Sequence, residues 1–281
     1  MASGYLNIVT FLLTTLFYYM ALKPSLPYSL YSTPELYTSY ISDHYMFLGI
    51  YVLLVMVVQF MVNSSLMASK CGGSLSENMG MAGVLTFVPW TLIFGVLVVV
   101  LTVYPGFKSA FSDVVGYYYV SGSAGKLLTE LLMNQQVERS MSGAETPEQK
   151  KALETAADTI LKICGNTSIL INQMVPSNFD SYWGILKPLM KPQFQDDASE
   201  ATKQMKQSLF ELVVTRDNVG EAMWYMYTGL LLTSIVQLKM ATYNCASNPK
   251  TMEANYQKFL EKEKANKQQQ EQAQTTYTIS N

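Results

Sequence analysis

The sequence predicts an all-α polytopic membrane protein, with about four transmembrane helices and a small helical soluble domain. Three observations predict it. Long runs lack any charged residue, the clearest being Asn78 to Phe107. The charges that make up only 14% of the chain are gathered between and after those runs. A mean hydropathy of +0.12 suits a mixture of spans and polar segments better than a bundle of spans alone. The 281 residues accommodate both parts.

The expected boundaries are a membrane region over 1–107 with spans at 5–22, 45–62 and 82–104. A helical soluble domain follows over 108–220, then a fourth span over 221–244, and a polar, helical or partly disordered tail over 245–281. The first span, Tyr5 to Leu22, has no basic residue before it, and Lys23-Pro24 ends it. A retained anchor fits this pattern better than a cleaved signal peptide. Between Lys23 and His44, Pro24, Pro27 and Pro34 predict a loop. Its Tyr28, Tyr31, Tyr37 and Tyr40 suit a membrane–water interface or a protein surface. Gln59 is the strongly polar side chain of the second span, expected to meet a neighbouring helix. Asn63 to Met81 reads as a Ser/Gly loop with a turn at Gly72-Gly73.

Ala82 to Tyr104 is apolar apart from Thr86, Thr91 and Thr102. A helix over this run rises about 34 Å, enough for a hydrocarbon core of ~30 Å. Pro89 predicts a kink and Pro105-Gly106 a stop. In the domain, Leu127, Leu128, Leu131 and Leu132 line one helical face. Thr146 to Gln149 is a helix start, after which Leu153, Ala157, Ile160, Leu161 and Cys164 form a stripe. Pro176 to Pro192 reads as irregular. Asp197 with Glu200 starts a helix whose stripe is Ala201, Met205, Leu209, Leu212 and Val213. Ala222 to Leu238 is uncharged and bracketed by Glu221 and Lys239, and the domain helix can run into it without a break. In the tail, Glu263 and Lys267 are spaced to pair along a helix.

Chemistry is sparse. His44 is the one histidine, which rules out a histidine-based metal cluster. Cys71, Cys164 and Cys245 are odd in number and far apart, so no disulfide framework or zinc site is expected. Cys164 reads as a small core residue rather than a nucleophile. Gly125-Lys126 is not a phosphate loop, because Val120 stands where the first glycine is needed and Leu127 replaces Ser/Thr. A net charge of −2 predicts no nucleic-acid partner. No acidic, basic or histidine residue lies at a span centre, as ion and proton pathways usually need. The expectation is no enzyme, no catalytic residue, no cofactor and no metal. Asn63 and Asn166 match the glycosylation pattern but fall on opposite sides of the expected topology. Phe107, Phe111, Tyr117, Tyr118 and Tyr119 form an aromatic platform and are the candidate partner contact.

The stretch FVPWTLIFGVLVVVLTVYPGFKSAFSDVVGYYYV, Phe87 to Val120, combines a span, a proline–glycine turn, a short Phe/Ser segment and a Gly-aromatic run. In this it resembles internal-membrane proteins, the membrane-bound minor capsid proteins, of large icosahedral DNA viruses of eukaryotes. The resemblance implies a structural protein in the internal membrane of a virion, anchoring or spacing the capsid shell. Its partners would be the lipid bilayer and other capsid or membrane proteins, in an oligomeric assembly. The alternatives are an oligomeric channel or carrier, with Thr10, Thr14, Thr86, Thr91 and Thr102 lining a path, or a membrane-anchored scaffold of a cellular organelle.

Overall fold

The computed structural model describes residues 3–72, 75–132, 167–243, 245, 253 and 256–268. These are helical almost throughout, with one isolated antiparallel bridge between Leu132 and Met190 and no strand among the described residues. The helices are α1 (Ser3–Phe17), α2 (Tyr28–Tyr31), α3 (Pro34–Cys71), α4 (Leu75–Pro89), α5 (Val96–Val103), α6 (Ser109–Phe111), α7 (Tyr117–Leu131), α8 (Thr167–Gln173), α9 (Phe179–Leu186) and α10 (Glu200–Thr242). Among the described residues, three stretches are long and apolar enough to cross a membrane: Tyr5–Leu22, Pro34–Cys71 and Asn78–Val103. The predicted helix over 146–165, with Cys164 and Asn166, lies outside the described residues.

Several expected boundaries move. Pro34 opens α3 instead of preventing a helix, because at the first turn its missing N–H has no intrahelical role. The loop therefore shrinks to the segment between Lys23 and Thr33, itself carrying the single turn α2. The expected loop over Asn63 to Met81 is mostly helix: α3 continues to Cys71 and α4 begins at Leu75. What remains is a turn at Gly72, whose φ of 71° is the left-handed conformation that ends helices. Helix α3 is 38 residues long, about 57 Å, so it outruns any bilayer. Its uncharged stretch, Tyr45 to Ser69, rises about 37 Å between Asp43-His44 and Lys70. At Pro89 the hydrogen-bond ladder switches from α to π over Trp90–Gly95 before α5 resumes, the local adjustment a missing N–H demands. The helix stops at Val103, as Pro105-Gly106 predicts, and Pro105–Lys108 forms a 3-10 turn. Pro176 to Pro192 is not irregular: it is a chain of short helical turns around α9.

The chain forms two compact units, to both of which α1, α3 and α10 contribute. The first comprises Met1–Phe11, Leu54–Leu92 and Leu230–Asn281. Its core joins Met67, Ala82, Val236 and Met240, and Phe11 packs on Trp90 with ring centroids 5.5 Å apart. A buried polar ladder runs across three helices. Asn7 Nδ2 donates to Asn63 Oδ1 at 2.7 Å, and Asn63 Nδ2 donates to Thr86 Oγ1 at 2.8 Å. Gln59 Nε2 donates to the Asn7 carbonyl at 3.0 Å and to Thr10 Oγ1 at 3.3 Å. In an apolar surround such bonds fix which helices pair and at what register. Replacing Asn63 by Leu strands the Asn7 amide and the Thr86 hydroxyl. It is expected to cost about 1–2 kcal/mol, read as a lower unfolding midpoint in detergent. An unchanged midpoint would show that the ladder contributes nothing to packing.

At the other end of this unit, Lys70 Nζ donates to the carbonyls of Met240, Ala241 and Tyr243 at 2.6, 2.6 and 2.9 Å, satisfying the last carbonyls of α10. Beside it Cys71 and Cys245 form a disulfide, Cα to Cα 5.3 Å, across 174 residues. This corrects the sequence expectation. Spacing suited neither metal nor framework, yet two helix ends bring distant cysteines together. In the tail, residues 256–268 are helical, and Glu263 and Lys267 pair at 3.0 Å.

The second unit comprises Leu12–Leu53 and Ile93–Gly229. Its principal core gathers Leu128 and Leu131 of α7, Ile171 of α8, Phe179 and Trp183 of α9, and Phe210 and Val213 of α10. Tyr28 and Tyr31 pack on this core, with Tyr28 5.7 Å from Phe179 and Tyr31 4.9 Å from Phe210 between ring centroids. A second aromatic group stacks Tyr18 on Tyr51 at 4.4 Å, with Phe94 and Tyr225 around Tyr51. Helix α10 runs without a break from the domain core through Ala222–Leu238.

Candidate functional site

The most chemically loaded place in the second unit is a buried ion cluster. Helix α1 passes into a π-turn, Tyr18–Leu22, and Lys23 follows directly, its N–H bonded to the Tyr18 carbonyl at 2.8 Å. Lys108 ends the 3-10 turn that Pro105 and Gly106 impose. Asp217 and Glu221 stand one turn apart on α10, and so on one face. Lys23 Nζ lies 2.6 Å from Glu221 Oε1, and Lys108 Nζ lies 2.8 Å from Glu221 Oε2 and 3.1 Å from Asp217 Oδ2. Tyr19 donates its hydroxyl to Glu221 Oε1 at 3.0 Å, and its ring centroid is 4.9 Å from Lys23 Nζ. The side chains of Lys23 and Glu221 are only 6% and 4% exposed.

Two ammonium groups and two carboxylates leave the cluster neutral in sum. Burial works against each charge, and the partners offset it unequally. Burial dominates at Lys23, lowering its pKa from the ordinary lysine value despite Glu221. At Lys108 burial also opposes the charge, but Glu221 and Asp217 together outweigh it and the pKa rises. Every charged oxygen that faces a lysine here is engaged, so the arrangement acts as a clamp joining three chain segments.

Arg216 is buried one turn before Gly220. Its guanidinium donates to the Ile171 carbonyl and, at 3.4 Å, to Asn172 Oδ1, and lies 3.7 Å from Asp113. A cavity of about 360 Å³ opens beside the cluster, lined by Lys23, Tyr37, Tyr40, His44, Lys108 and Asp113 among others. Among the described residues no group of three or more His, Cys, Asp or Glu side chains is placed to hold a metal. Lys126 sits in the interior of α7, not at its start where backbone N–H groups would cradle a phosphate.

The five residues of the aromatic platform separate. Tyr118 and Tyr119 are 82% and 72% exposed. Phe107 is also exposed, while its carbonyl accepts a hydrogen bond from Trp224 Nε1 at 2.8 Å. Phe111 packs edge-on against Trp224, centroids 5.0 Å apart. Tyr117 turns onto the domain core. The hydroxyls considered for a path are engaged at Thr10, bonded to the Leu6 carbonyl; at Thr86, bonded to Asn63; and at Thr102, bonded to the Val98 carbonyl.

Sequence reasoning noted Lys23 and Glu221 as markers of span ends, and missed that they meet each other and Lys108. Single charges bound every uncharged run, with Glu77 and Glu221 before two of them and Lys23, Lys70 and Lys108 after three, and nothing in the sequence marks which of these meet. No family model matches the chain, and no curated protein or solved structure is similar to it.

Proposed function

We propose that the protein is a structural anchor of a viral inner membrane, holding or spacing a capsid shell through its helical domain. The observation that carries this reading is the clamp. Lys23 directly follows one apolar run, Lys108 follows another, and Asp217 and Glu221 belong to the helix that also builds the domain core. A domain fixed in this way transmits position between bilayer and partner. The virion setting rests on the resemblance of Phe87 to Val120.

The reading includes a fourth span. Glu221 stands midway along α10, where the uncharged stretch begins, and pairs with Lys23 just after the first apolar run. Beyond the C-terminal end of α10, Cys245 is bonded to Cys71, just after the second. The uncharged Ala222–Leu238 stretch rises about 26 Å, and Lys239 can extend its reach by snorkelling.

Tyr118 and Tyr119 are the contact residues this function assigns, since exposed rings bury area at low entropic cost. Changing both to Ala is expected to reduce retention of shell proteins in a detergent pull-down by tenfold or more, with membrane insertion intact. Tyr117→Ala should instead lower domain stability. Wild-type retention by the double variant, or absence of the chain at fixed copy number from purified particles, would remove the assignment.

A further inference from the structure

We infer that the Cys71–Cys245 bond faces an oxidising compartment and that the helical domain lies across the membrane in a reducing one, so that the domain's partner is a layer assembled on the reducing side. This rests on the four-span reading and gives it a direction, which charges at the span ends do not.

The two cysteines are placed to share one aqueous phase. Cys71 directly follows Lys70, the first charge after the uncharged Tyr45–Ser69 stretch. Cys245 lies just past the end of α10, whose last carbonyls Lys70 binds. A bond that persists there needs an oxidising environment, since cytosolic thiols are kept reduced. Two crossings precede Cys71 and four precede Cys245, whereas one precedes Lys23 and three precede the domain. The parity puts Lys23, Lys108 and the domain opposite the disulfide.

The test uses the full chain in sealed microsomes whose cytosolic face is outward, with a membrane-impermeant maleimide–polyethylene glycol as the probe. In a Cys164→Ala background, Ser208→Cys on the exposed face of α10 reports the domain. One adduct is expected on Ser208→Cys without detergent or reductant. Cys71 and Cys245 should add two more only when both are supplied. Ser3→Cys and Ser280→Cys check the crossings separately and should both stay protected until detergent is added. If those two share a compartment opposite Ser208→Cys, but Cys71 and Cys245 label without reductant or from outside, the orientation is wrong and the four spans stand. If Ser3→Cys and Ser280→Cys label from opposite sides, the four-span reading fails and the inference goes with it.

Discussion

Replacing Glu221 by Gln is expected to lower stability by about 3–5 kcal/mol, the usual cost of stripping one partner from a buried ion pair. The substitution keeps the shape of the side chain. It leaves Lys23 with no carboxylate within bonding distance and Lys108 with Asp217 alone. Both lysines are largely buried, so water replaces the lost partner poorly. The effect should appear as a fall on the order of 10 °C in the unfolding midpoint of the detergent-solubilised protein. Adding Lys23→Met to Glu221→Gln should restore part of it, since the unpaired charge is then removed as well. The exposed Lys187–Asp197 pair supplies the comparison: breaking it should cost less than about 1 kcal/mol. If Glu221→Gln costs no more than that, the cluster is not the clamp described above.

Gly116→Ala and Gly220→Ala should each destabilise by about 1–3 kcal/mol or more. A Cβ on Gly220 would stand 2.6 Å from Ser112 Cβ and 2.8 Å from Ser112 N, and one on Gly116 would stand 2.5 Å from the Arg216 carbonyl oxygen. The obstacles include backbone, so no side-chain rotation relieves them. The π-turn Ser112–Gly116 and the Arg216–Gly220 turn of α10 must separate, which strains the Lys108 pairs that follow from their approach. Gly122 and Gly125, within α7, have nothing within 4 Å of a built Cβ. Alanine there should be neutral or stabilising by up to about 1 kcal/mol, from helix propensity alone. Equal effects at all four positions, measured by thermal unfolding, would mean that close approach is not what the first two glycines provide.

What the sequence made legible is what local chemistry decides. Uncharged runs marked the apolar helices, Pro105-Gly106 marked where one stops, and the spacing of Leu128, Leu131, Leu209 and Val213 marked faces of the domain core. Proline was misread where its position in the helix mattered more than its identity: Pro34 starts a helix that a rule about interiors would forbid. Trp183 and Phe179 looked like residues of a loop because prolines surround them, yet both are buried in the core. The pairs that define the site were not legible. Lys23 and Glu221 are 198 residues apart and Cys71 and Cys245 are 174 apart, and no periodicity links them. Of the platform, composition predicted a surplus of rings but could not say that Phe111 and Tyr117 would be used internally.

The clamp also sets an order on biosynthesis. Lys23 leaves the ribosome 198 residues before the glutamate that neutralises it. At typical translation rates of about 5–20 residues per second, it waits roughly 10–40 s. Lys108 emerges later and waits for the same carboxylate. Until α10 is made, the nascent chain carries two lysines held in water beside apolar segments already able to insert. The pocket they fill can close only once the last of the three participating segments arrives. A chain terminated before Glu221 would keep its early hydrophobic runs and lack the anion that lets their ends dock, which makes it a substrate for membrane quality control rather than a smaller working protein.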